Sequence, residues 1–209
     1  MQEANARGLL VSCNHPRPYG PDWALREVAG FRCVEVWNGP WRLLNSTCLE
    51  FWEAKLRQGE RLTAVGGSDH HFTRGDHVAR LGHPTLYIYC AGQPSPAKLL
   101  DALRAGHAFI SESPSGARMM LHAGEAMMGD LIARPADERL TVKVNVKDGA
   151  GTRLQIVVAG GILAERDVSD GDEAFDVTIN VTGTPYVRAQ VVDPDGGETR
   201  ALTNPIYLE

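Results

Sequence analysis

Nowhere does this chain carry an apolar run near the roughly 18 residues that a membrane-spanning helix needs. Its first residues, MQEANARG, also lack the charged-then-apolar layout of a signal peptide. A cytoplasmic protein with no membrane partner is therefore expected. Positive charge is not in excess either: the formal net charge is -5 and the sequence pI is near 5.8. That balance argues against a broad basic face built to hold nucleic acid or an anionic membrane. Cysteine is sparse, and Cys13, Cys33, Cys48 and Cys90 lie in apolar surroundings with no C-x-x-C spacing. They read as buried thiols rather than as a disulfide framework or a zinc knuckle, with Cys13 the one to follow. Internal repeats and low-complexity tracts are absent as well.

What the chain does have is enough apolar material, 43% of 209 residues, to fill one large core or two small ones. Its pattern changes near residue 115. Before that point, short apolar runs at 8–13 (GLLVSC), 31–37 (FRCVEVW), 62–67 (LTAVGG), 84–89 (PTLYIY) and 107–111 (HAFIS) alternate with helical stretches. Ser46 is placed to cap a helix reaching Gly59, and Ser95-Pro96 to open one ending at Gly106. Residues before Gly8 look like the tail of a further helix. Such alternation predicts an α/β layout with a largely parallel sheet over 1–114. After it the period is two along 139–146, 153–159, 174–181 and 186–193, with turn signals around them at Asp148-Gly149, Gly160-Gly161, Asp170-Gly171 and Pro194-Asp195-Gly196-Gly197. Residues 115–209 are accordingly expected to form an all-β, immunoglobulin-like sandwich.

Polar residues collect at the C-terminal ends of the early strands. GLLVSC runs into Asn14-His15-Pro16, FRCVEVW into Asn38-Gly39, and LTAVGG into Ser68-Asp69-His70-His71. In parallel α/β sheets these ends form the crevice where ligands and catalytic groups gather. Asp-x-His on an extended segment turns both side chains to one side, and carboxylate with neutral imidazole suits zinc, manganese or iron. His70, facing the other way, would sit behind the ligands or meet the substrate. Plainer readings stand beside each of these. A His before Pro is commonly a turn residue, an isolated Asp-x-His is commonly a loop or a helix cap, and Glu35 within an apolar strand is as well explained by a buried ion pair as by a catalytic role. His77, His83, His107 and His122 have no supporting pattern and are read as structural.

Taken in order, LLVSCNHPRP, VEVWNG and GGSDHH resemble the strand-His-Pro, middle-strand and Gly-Ser-Asp-x-His motifs of the PHP (polymerase and histidinol phosphatase) superfamily of metal-dependent hydrolases. The stretch PTLYIYCAGQPSPAKLLDALRAGHAFIS and the ending TNPIYLE are similar to the branch related to carbaryl-type carbamate esterases. The resemblance implies a distorted (β/α)7 barrel with two or three divalent ions at its strand ends. It also implies a phosphoester or related ester substrate. It assigns His15, Asp69 and His71 as metal ligands, with Asp69 and His71 catalytic. Glu35, Asn38 and His70 would line the pocket; Arg17 and Arg74, close in sequence to His15 and His71, suit the orientation of an anionic substrate and are equally well explained as solvated surface charges. The ions would bring a bound water near neutrality and offset developing charge. The family's opening His-x-His portion has no counterpart here, and about five strands are too few to close the barrel. A partial barrel with an open edge beside GLLVSC is therefore expected, covered by a missing N-terminal segment or by a second copy of the chain. Little or no turnover would follow for the chain as it stands, and a non-catalytic binding or assembly module with a relic metal site is the alternative.

Overall fold

The computed structural model describes residues 1–17, 29–41, 43–71 and 79–209. Its first elements are α1 (Gln2–Ala6), β1 (Ser12–Cys13), β2 (Cys33–Asn38), α2 (Leu43–Arg57) and β3 (Thr63–Gly67). β1, β2 and β3 form a parallel sheet in that order. β2 is buried along almost its whole length, as a central parallel strand with both faces covered must be. β1 is much shorter than the 8–13 run: Val11 contributes only its carbonyl, which accepts from Arg32 N at 2.9 Å and Cys33 N at 3.0 Å, and Leu9 is 53% exposed. Among the described residues no strand lies on its outer side. α2 begins three residues before Ser46, which therefore lies inside the helix and does not cap it.

β4 (Thr85–Ile88), α3 (Pro96–Ala105) and β5 (Ala108–Ser111) follow. α3 has the expected ends: the Ser95 side chain accepts from Lys98 N, and Gly106 closes the helix at φ 84°, a left-handed conformation that glycine adopts without strain. The strands on either side of it, however, pair antiparallel. β5 also pairs antiparallel with β14 (Thr199–Thr203), so residues 85–88 and 108–111 belong to a sheet built mainly from the second half of the chain. Its order is β11 (Gly161–Val168), β10 (Thr152–Val158), β13 (Tyr186–Val192), β14, β5, β4, with β15 (Ile206–Leu208) on β13 and β8 (Leu131–Ile132) parallel to β15. A third sheet, β12 (Asp172–Asn180), β9 (Arg139–Lys147), β6 (Arg118–Ala123), β7 (Ala126–Met127), packs against it. β9 shows the cause in its sequence, since Leu140, Val142, Val144 and Val146 enter the core while Arg139, Thr141 and Lys143 face water.

The expected fold class is thus corrected. Among the described residues there are three helices and fifteen strands in mixed sheets, not a partial (β/α)7 barrel followed by a separate immunoglobulin-like sandwich. Apolar periodicity marks where a strand lies but not the direction of its partner, and a helix between two strands does not oblige a parallel crossover. None of the described helices is long and apolar enough to cross a membrane.

The parallel sheet is fastened to the rest by side chains rather than by a backbone ladder. Asn204, just past β14 and 1% exposed, accepts from Ala64 N at 2.6 Å and donates to Ala64 O at 3.2 Å and Ala108 O at 2.9 Å. It links β3 to β5 as an extra strand would. Leu62 O accepts from both Tyr207 Oη at 3.1 Å and Trp52 Nε1 at 2.8 Å. On the far side of α2 the buried Arg188 pairs with Glu53 and lies 5.9 Å from the centre of the Trp52 ring. Asn204→Leu keeps the volume but strands buried backbone groups. Each costs about 1–3 kcal/mol, so a loss of roughly 3 kcal/mol in unfolding free energy is expected. Urea denaturation checks it: the midpoint should fall with an unchanged slope, and a change within about 0.5 kcal/mol, as at an ordinary surface site, would show that the junction does not depend on this amide.

Candidate functional site

Glu35 sits inside apolar β2 with its residue 7% exposed, so its carboxylate needs partners. It finds them past the end of β1. Oε2 accepts from His15 Nδ1 at 2.8 Å and from His15 N at 3.3 Å, and Oε1 accepts weakly from Asn38 Nδ2 at 3.4 Å. His15 reaches this position with φ 53°, uncommon for a residue with a side chain. Asp69, at the corresponding place past β3, has φ 52°. The glycines of GGSDHH have local causes. A Cβ on Gly67 would stand 3.2 Å from Glu35 Oε1, and one on Gly66 would meet Ile110 at 3.0 Å and Trp37 O at 3.1 Å. The register slips between Glu35 and Trp37 where β2 bulges against β3.

These contacts settle the His15 tautomer. Arg17 NH2 lies 3.3 Å from the same Nδ1, but a guanidinium only donates, and one ring nitrogen cannot both donate to Glu35 and accept from Arg17. The shorter, charge-assisted contact to the carboxylate prevails, and Arg17 NH2 donates instead to Asn38 Oδ1 at 3.1 Å. In neutral His15 the lone pair is then on Nε2, which has no partner among the described residues, on a side chain 44% exposed. A carboxylate behind Nδ1 is the arrangement that orients metal-binding histidines.

Asn45 of α2 holds the next layer. Buried to 2% exposure, it accepts from Asn38 N at 3.0 Å and donates to Asn38 O at 3.3 Å and Pro40 O at 3.0 Å, so the loop after β2 is clamped to the helix. Nothing in the sequence singles out this asparagine. Its one signal is a polar side chain on the inner face of an amphipathic helix.

Asp69 and His71 form a second pair, with Nε2 to Oδ1 at 3.3 Å and side chains 39% and 73% exposed. Asp69, Arg17 and Asn38 line one cavity of about 260 Å³ with Gly39, Pro40, Leu44, Asn45 and Ala79. The His70 ring turns away, its Nδ1 lying 2.7 Å from Ala79 O. Arg74 and His77 lie outside the described residues. The pairs are not merged: β2 runs between β1 and β3, which puts the two strand ends about 10 Å apart at ordinary spacing. Among the described residues no three His, Cys, Asp or Glu side chains gather closely enough to hold one ion. Among the described residues His15 is paired with Glu35, and Asp69 with His71. Donor chemistry nevertheless suits zinc, manganese or iron, with one outward imidazole on the first pair and an imidazole and carboxylate on the second. Glu35, with both oxygens engaged, orients rather than ligates.

Of the remaining polar candidates, His107 Nε2 bonds Asp130 Oδ1 at 2.8 Å while Oδ2 accepts from Met127 N, a structural brace beside β5. Cys13 is buried, and desolvation pushes its thiol up to about 12, so it is no nucleophile. In comparison with known proteins, no family model matches the chain and no curated protein sequence matches it significantly.

Burial also raises Cys33 and Cys48, each to about 11 from 9.0. A raised folded value means that the neutral thiol is favoured by folding. The associated stability is complete below pH 9 and is lost as pH rises toward 11, where unfolded thiols ionise and folded ones resist. Urea midpoints measured from pH 8 to 10.5 should fall, and Cys48→Ala should flatten the fall relative to its own value at pH 8. An unchanged slope in that variant would contradict this assignment.

Proposed function

We propose that the chain is a metal-dependent hydrolase of phosphoesters or related esters, of the kind its strand-end motifs resemble. The observation that supports this most is the Glu35–His15 pair, which turns a basic imidazole nitrogen outward at a strand end neighbouring the Asp69 cavity. His15, Asp69 and His71 are the groups that would hold zinc, manganese or iron. When bound there, such an ion would lower the pKa of a water and offset charge on the scissile group. Glu35 fixes the ring of His15 through Nδ1. Asn38, clamped by Asn45, orients Arg17, whose guanidinium suits the oxygens of a phosphoryl or carboxylate group entering the 260 Å³ cavity. Asp69, exposed beside His71, would take up the proton of the attacking water on whichever carboxylate oxygen does not hold the ion, with His71 fixing that carboxylate's orientation. Four free thiols suit a reducing compartment, and the cytoplasm is the setting proposed.

The separation of the donors into two pairs favours a second reading, a non-catalytic module with a relic site. One set of measurements separates the two: calorimetric titration with zinc and manganese, and p-nitrophenyl phosphate hydrolysis with each. His15→Ala and Asp69→Asn should each weaken metal binding about tenfold or more, and Glu35→Gln by about 10–100-fold, as for a lost outer partner of a ligand. Turnover that requires metal and disappears in Asp69→Asn supports the hydrolase. Metal binding with the same residue dependence but no turnover selects the module. Affinities equal in all four proteins, or turnover indifferent to metal, would overturn the metal assignment itself.

A further inference from the structure

A second cavity, about 480 Å³, opens on the other side of the wall formed by Gly39 and Pro40, which line both cavities. Its floor is aromatic: Trp37 and Trp41 meet edge to face, with ring centres 4.8 Å apart and planes at 78°. Around that floor stand charged and hydrogen-bonding side chains from several elements. Glu112 follows β5, Glu198 and Arg200 belong to the loop and start of β14, and Arg80 and His83 precede β4. Arg200 is neutralised, donating to Glu112 at 2.8 Å and Asp193 at 2.7 Å. Arg80 and the Glu198 carboxylate, in contrast, have no side-chain partner among the described residues. One free cation and one free carboxylate thus face a common space above an indole surface.

We propose that this cavity binds a polyhydroxylated ring, a sugar or cyclitol, as the alcohol portion of an ester whose acyl or phosphoryl group is held beside Asp69 and Arg17. The inference rests on the hydrolase reading for the second half of that sentence, but the ring site stands on its own residues. A sugar has an apolar C–H face for Trp41 and a rim of hydroxyls that both donate to Glu198 and Glu112 and accept from Arg80. A plain aryl ring would cover the indole equally well but offer Arg80 and Glu198 no hydrogen-bond partner. Sites built to bond hydroxyls reject analogues that lack them for this reason. The volume agrees, since pockets for small molecules span about 300–1,000 Å³. Because Gly39 and Pro40 line both cavities, the two are neighbours, and the proposal places one ligand across both.

The test is equilibrium binding followed by tryptophan fluorescence and calorimetry, with α-glucose 1-phosphate, α-galactose 1-phosphate, phenyl phosphate and inorganic phosphate as probes. At least one sugar phosphate should bind about tenfold or more tightly than phenyl phosphate, and Glu198→Gln, Arg80→Ala and Trp41→Ala should each erase most of that preference. Arg80 is exposed, so its variant folds without cost even if Trp41→Ala does not. Phenyl phosphate binding as tightly as both sugar phosphates, or a sugar preference untouched by Glu198→Gln and Arg80→Ala, would overturn the proposal. So would failure of every sugar phosphate to bind. Turnover of phenyl phosphate in the same preparations reports on the hydrolase reading separately, so the two can fail independently.

Discussion

A carboxylate buried in an apolar parallel strand is the constraint from which the strand-end geometry follows. Glu35 cannot be left unpaired without a cost of several kcal/mol, and its partners come from two directions: the backbone and ring of His15 after β1, and the amide of Asn38 at its own strand end. To bring them in, His15 takes a left-handed backbone conformation, and Gly67 on β3 forgoes a side chain. The chain beyond β2 is then held by Asn45, so the orientation of Arg17 is inherited from α2. Removing the carboxylate would free each of these groups at once, which is why a single buried charge can decide how the whole strand end is arranged.

The small parallel sheet, three strands and one long helix, does not keep a core to itself. It borrows its core from the larger body: Ile110, Tyr186, Leu202 and Tyr207 pack with Val34, Val36, Trp52 and Ala64. Asn204 and Tyr207 supply the polar side of the same junction. This attachment has a functional consequence, because it sets the end of β2 against the loops that precede β4 and β14. The cavity between them exists only because strands from both halves of the chain share one sheet.

Much of the local structure was legible in the residues. Ser95 and Gly106 bound α3 as capping chemistry requires, and the two-residue alternation of 139–146 marks a half-buried strand. Pairing was not legible. Residues 84–89 and 107–111 read as strands of the early sheet, yet they run antiparallel beside β14, because a short apolar run has no mark for its partner or direction. Ser46 looked like a cap for the same kind of reason: residue type suits the role, but the chain enters α2 earlier, at Leu43. His15, Asn38 and Asp69 could be named from their strand-end positions, and Glu35 from its place inside an apolar strand. The tautomer of His15, the clamp by Asn45 and the division of the donors into two pairs depend on contacts 7 to 20 residues apart in sequence, which no local pattern contains.

The central claim is that Glu35 holds the proton on His15 Nδ1 and leaves Nε2 as the free base. Long-range ¹H–¹⁵N correlation spectra of the histidine rings read this directly. The account predicts His15 in the Nδ1–H form above the range in which imidazole protonates, conversion of that signal in Glu35→Gln, and a selective shift of His15 Nε2 on addition of zinc. A His15 ring found in the Nε2–H form, with the same spectrum in Glu35→Gln, would contradict it.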